Sequence, residues 1–112
     1  MDKVEFKVID NDYQIVKSTD DKYILLSLFI GKFRESDNIQ EIIDLLEDVK
    51  NENKTWNEAV EPYGMFLPIG YDSGHFKCNK DMAYFISDQQ EYQNMEMPLQ
   101  ELIDLMKDWK VF

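Results

Sequence analysis

The sequence predicts an α+β domain: an antiparallel sheet of about five or six strands with two amphipathic helices, at about residues 37–50 and 98–109. Three observations lead there. Short stretches alternate apolar and polar residues, the period of a half-buried strand. Two longer stretches repeat apolar residues at i, i+3, i+4 and i+7, the period of a helix with one buried face. Clusters of Asp, Asn, Ser, Gly and Pro separate them and supply turns. With 112 residues, one domain (1–112) with one hydrophobic core is expected.

Val4, Phe6 and Val8 alternate with Glu5, Lys7 and Ile9. Asp10-Asn11-Asp12 is a turn cluster, and Tyr13–Lys17 resumes the alternation, so the pair reads as a hairpin. After the turn residues Ser18–Lys22, the run Tyr23–Ile30 is apolar on both faces. It is expected as a central strand, ended by Gly31 and covered by helices. Ser36 or Asp37 can cap the next helix, whose apolar face is Ile39, Ile42, Ile43, Leu46 and Val49. Thr55–Val60, entered by Trp56, is expected as a short strand, and Glu61-Pro62-Tyr63-Gly64 as a turn. Three strands follow within Met65–Ser87, parted by Asp72-Ser73-Gly74 and Lys80-Asp81. Pro68 cannot donate to a ladder, so its strand is an edge or bulges there, and Gly70 favours a bulge. Asp88–Glu96 reads as a polar connection. Pro98 opens the last helix, whose stripe is Leu99, Leu102, Ile103, Met106 and Trp109, with Glu101, Asp104 and Asp108 toward water. The apolar tail Val111-Phe112 is expected to pack.

The formal net charge is −11, and it is unevenly placed. Residues 1–35 hold seven acids and six bases, whereas residues 36–61 hold eight acids and two bases. Residues 62–80 are nearly neutral, and residues 81–112 are acidic again, with seven acids and two bases. The acid thus sits on the two helical segments. Such a field repels nucleic acid and anionic membranes and attracts basic partners. No apolar run approaches the roughly 20 residues of a membrane helix. The N-terminus lacks the basic start and apolar stretch of a secretory signal. A lone cysteine cannot form an internal disulfide, which fits a reducing compartment, so the expected location is cytoplasmic.

The only histidine and the only cysteine, His75 and Cys78, lie in one predicted strand. Residues three apart on a strand point to opposite faces, so the two diverge and do not form a zinc or nucleophile pair. Cys78 reads as a small core hydrophobe. Asp10–Asp12 and Asp20-Asp21 lack the ligand spacing and glycine of a calcium loop. Phosphate loops, the serine elbow and dinucleotide fingerprints are absent. No catalytic residue, metal or cofactor is therefore expected, and the chain is read as not an enzyme. Asp37, Glu41, Asp44 and Asp48 form an acidic stripe at helical spacing, although like charges at i, i+4 repel slightly. Trp56, Tyr63, Tyr71 and Tyr92 fall at strand ends or loops. Trp56 is expected as a lid on the core, and Trp109 as core.

This order of elements resembles the bacterial immunity proteins that neutralise toxins of contact-dependent growth inhibition and related polymorphic toxin systems. The order is a strand ending Leu28-Phe29-Ile30-Gly31, an acidic helix to Lys50, a strand begun by Trp56, a turn at Gly64, further strands and a closing Leu-rich helix. The likeness runs from about Tyr23 onward, in layout and composition. It implies a cognate toxin domain, often a basic nuclease, blocked in a tight one-to-one complex. An acidic surface would steer such a partner, with aromatic anchors adding affinity. The expected contact residues are Glu41, Asp44, Glu47 and Asp48 on the helix, with Tyr71 and Asp72 on a turn. Two other classes remain open. One is an acidic nucleic-acid mimic that inhibits a DNA-binding defence enzyme. The other is a small ligand-binding domain or enzyme with a pocket among Tyr71, His75 and Tyr84.

Overall fold

The computed structural model describes residues 2–112. The fold is α+β, with six antiparallel strands in two sheets and four α-helices among those residues. β1 (Val4–Ile9) and β2 (Tyr13–Ser18) form a hairpin that is a sheet of its own. β3 (Leu67–Ile69), β4 (Gly74–Cys78), β5 (Met82–Ser87) and β6 (Met95–Pro98) form a meander in that order. Between the sheets in sequence run α1 (Ile24–Lys32), α2 (Ser36–Lys50) and the short α3 (Trp56–Val60), and α4 (Leu99–Val111) closes the chain. No helix is long and apolar enough to cross a membrane among the described residues.

The expected central strand Tyr23–Ile30 is a helix instead. Leu25, Leu26, Phe29 and Ile30 are fully buried and Ser27 nearly so, which makes α1 the helix around which the core is built. An octet apolar on every side satisfies either a two-sided strand or an all-round buried helix, and periodicity cannot separate the two. Two local hydrogen bonds accompany the helix. Asp20 accepts from the Lys22 amide and starts a 3-10 turn, and the Ser27 hydroxyl donates to the Ile24 carbonyl inside α1. Gly31 therefore lies within α1, where a Cβ would lie 3.7 Å from the Val16 side chain of the hairpin.

Thr55–Val60 is also helical where a strand was expected. Thr55 accepts from the Glu58 amide while the Glu58 carboxylate accepts from the Thr55 amide, a capping box that satisfies two free donors. These bonds hold the Glu58 carboxyl below its ordinary pKa. Glu61–Tyr63 then makes a 3-10 turn ended by Gly64 at φ 77°. β3 is an edge strand, as Pro68 requires, but its pairing with β4 is continuous and has no bulge; the chain turns after it at Gly70. Part of the expected polar connection, Met95-Glu96, belongs to β6. The helices at 37–50 and 98–109 are present almost at their expected bounds.

One face of the meander carries Leu67, Ile69, Phe76, Cys78, Ala83, Phe85 and Met97, all buried. Phe29 of α1 stacks on Phe76 at 4.6 Å and meets Phe85 edge-on at 5.5 Å, so α1 is riveted to the middle of the sheet. Trp56 is half-buried over Phe76, as a lid. Gly74 sits where β4 and β5 approach so closely that a Cβ would lie 2.1 Å from the Ile86 carbonyl oxygen. α4 packs on β5 and β6, and α2 packs on α4 and α3. The hairpin closes the other end: Phe6 lies 5.2 Å from Trp109 and 5.6 Å from Phe112, so the tail packs through Phe112 while Val111 stays exposed.

Candidate functional site

α2 owes its position to one stripe. Ile39, Ile42, Ile43, Leu45, Leu46 and Val49 are buried, which leaves the opposite side of the helix to water and to its carboxylates. Those carboxylates occupy two flanks. Toward the 3-10 turn after α3, Glu41 accepts the phenol hydrogen of Tyr63. Two turns on, Asp48 lies 3.8 Å from Lys54, and its main-chain oxygen accepts from the Asn53 and Lys54 amides. Toward α4, Glu47 pairs with Lys107 at 3.4 Å and Gln40 accepts from Lys110 at 2.6 Å. Asp44 lies between the flanks, exposed, accepting from Gln40 at 2.8 Å.

Glu41, Asp44 and Asp48 share a cleft of about 210 Å³ whose floor is the buried Leu45 and Ala59 and whose rim includes the exposed Pro62 and the half-buried Tyr63. Burial and then the Glu41 carboxylate push the Tyr63 phenol up to about 12, so it stays a donor across the neutral range. Lys54 is the one cation lining the cleft among the described residues. The arrangement presents three acids over an apolar floor with a fixed aromatic edge. It can receive a lysine or arginine whose aliphatic stem lies on the floor.

Tyr71 and Asp72 lie elsewhere. Both have positive φ, 62° and 55°, and Tyr71 is 85% exposed. Their turn packs on α1, not on α2. Tyr71 borders a larger cleft of about 470 Å³ between α1 and the hairpin, with Tyr13, Lys32 and Arg34. The two cations there are tied to the scaffold. Lys32 donates to the Pro68 carbonyl at 2.6 Å, and Arg34 donates to the Gln14 carbonyl at 2.6 Å while lying over the Tyr13 ring. The six expected contact residues thus divide into Glu41, Asp44 and Asp48 in one cleft, Glu47 turned to α4, and Tyr71-Asp72 on a separate turn.

His75 and Cys78 point to opposite faces of the meander. Cys78 is buried in the core, which pushes its thiol up to about 12 and away from nucleophilic use. His75 lies on the outer face, 3.4 Å from Asp88 and against Phe66. Tyr84 lines a third cleft with Lys77 and Glu96, so Tyr71 and Tyr84 do not share a pocket. No group of three His, Cys, Asp or Glu side chains could hold a metal among the described residues.

Sequence reasoning placed Tyr63 among the aromatics but did not join it to Glu41. The two are 22 residues apart, and the helical geometry of Thr55–Val60 that brings them together was read as a strand. No family model, curated protein or solved structure matches the chain.

Proposed function

We propose that this chain is a non-catalytic binding protein of the immunity-protein kind. It neutralises a cognate toxin domain with a basic, nuclease-type surface by forming a tight complex in the cytoplasm. The observation that carries the reading is the cleft of α2: Glu41, Asp44 and Asp48 around the buried Leu45 and Ala59, beside Pro62 and Tyr63. The helix is anchored by six buried apolar residues, so its carboxylates are presented without a backbone-ordering cost on binding. Acidic charge on a rigid element speeds encounter with a basic partner, and the apolar floor with Tyr63 supplies the desolvated contact that charge alone lacks. Tyr71 and Asp72 form at most a separate contact of a large partner.

A nucleic-acid mimic is less well supported. Lys107 and Lys110 lie between the acids of α2 and those of α4, and interrupt any continuous row of phosphate-like charge.

The test is association kinetics with a toxin domain encoded beside this gene, measured by stopped flow at low and physiological salt. Reversing Glu41, Asp44 and Asp48 to lysine is expected to slow association at low salt by roughly tenfold or more while leaving the fold intact. Unchanged kinetics would remove α2 as the docking site.

A further inference from the structure

The hairpin has an unpaired edge whose sequence matches itself. β1 pairs with β2 on one side, and no strand among the described residues pairs with the other. The register sets Lys3 opposite Thr19, and the Thr19 amide donates to the Lys3 carbonyl at 3.0 Å. Hydrogen-bonded pairs alternate along an antiparallel ladder, so Glu5, Lys7 and Ile9 direct their main-chain groups to β2. The main-chain groups of Val4, Phe6 and Val8 therefore point outward along the free edge.

Val4-Glu5-Phe6-Lys7-Val8 is a pattern palindrome about Phe6. In a two-fold antiparallel pairing centred there, Phe6 meets Phe6 of a second copy and Val4 meets Val8, and these are the residues with outward-facing main-chain groups. Glu5 then stands opposite Lys7 of the second copy, at the non-hydrogen-bonded positions where side chains come closest. Within the chain Glu5 is already opposite Lys17, so each glutamate would sit between two lysines on the outer face. Charged residues on an edge usually deter pairing with other chains; these two match when the other chain is a copy of this one. Val8, 53% exposed, would be withdrawn from water. The surrounding charge also permits approach, because residues 1–35, with seven acids and six bases, form the nearly neutral part of a chain of net charge −11.

We propose that β1 is a self-association edge, through which two copies of this chain join their hairpins into one four-stranded antiparallel sheet. The inference does not depend on what α2 binds.

Sedimentation equilibrium of the full chain, from micromolar to millimolar concentration, tests it. The wild-type chain is expected to pass from monomer to dimer. Val8→Pro removes an outward donor and no bond to β2, and should leave a monomer. Glu5→Lys and Lys7→Glu should each raise the dissociation constant about tenfold or more, since each sets like charges opposite one another twice in the dimer. The double exchange Glu5→Lys/Lys7→Glu restores opposite signs across the edge and should restore the dimer. Circular dichroism confirms folding of each variant. A chain that stays monomeric throughout overturns the proposal, as does a dimer indifferent to the exchanges. So does tighter association of Glu5→Lys, the mark of general charge relief, because that variant carries less net charge.

Discussion

Helices α1 and α2 are neighbours in sequence, parted by residues 33–35, yet they meet opposite demands. α1 is apolar up to Gly31 and touches the hairpin, the 3-10 turn at Gly70–Asp72 and the meander, so most of its side chains serve the core. α2 is apolar on one side only and packs against other helices, which frees its second side for carboxylates. A helix surrounded by the fold cannot carry charge without desolvating it. A helix at the margin can. Stability and recognition are thereby assigned to different elements, and substitutions should separate them.

The largest effect is expected in α1. Phe29→Ala removes a ring that contacts Phe33, Phe76 and Phe85 in a fully buried site, and should cost about 3–5 kcal/mol in urea denaturation. The acidic reversals in α2 should cost less, up to about 1.5 kcal/mol, mainly through the Tyr63–Glu41 bond that they remove. A loss from the α2 reversals comparable to that of Phe29→Ala would break the division.

An intermediate effect is expected at the border of α2. The Tyr63 phenol is raised from 10.0 to about 12 in the fold, so the folded state keeps a proton that the unfolded chain releases. Its stabilisation is complete below pH about 10 and is lost as pH rises toward 12. Ultraviolet titration should show one tyrosine ionising about two units late, and Tyr63→Phe should remove that late step. The same substitution should cost about 0.5–1.5 kcal/mol at neutral pH, the value of one hydrogen bond. If Tyr63→Phe instead removes a step near the ordinary tyrosine value, Tyr63 is neither buried nor held by Glu41 in solution.

The smallest effect is a gain. Asp44→Lys replaces a like-charge pair with Asp48 by an opposite one at i, i+4, and should raise stability by a few tenths of a kcal/mol. A thermal melt of this variant shows whether the stripe works against its own helix, as a surface kept for binding would.

α2, α4, the hairpin and the meander strands were legible because each has one wet face, and water writes the period into the residues. Ile39–Val49 and Leu99–Trp109 show it at 3.6, and Val4–Val8 at two. α1 carries no such record. Its less buried side carries the apolar Ile24 and Leu28 ahead of Lys32, so no polar face marks its period, and packing against Phe76 and Phe85 selects the helix. α3 was legible in principle, because Thr55 and Glu58 spell a capping box, but the flanking Trp56 and Val60 suggested a strand. Of the candidate site, the carboxylates of α2 were readable from their spacing. Their sorting into a cleft with Tyr63, a bridge to Lys107 and a separate Tyr71 turn was not, because each depends on which element lies beside the helix.

By itself, then, the sequence determined the α+β class, the two amphipathic helices, an edge or a bulge at Pro68, the opposed His75 and Cys78, and an acidic α2. Each follows from local rules of period, covalent geometry or charge. Only the tertiary structure decided that the hairpin stands apart from the meander and that Tyr23–Ile30 is the central helix. It alone set Tyr63 against Glu41. Those outcomes depend on long-range packing, where an apolar octet or a tyrosine takes the form that its neighbours in space leave for it.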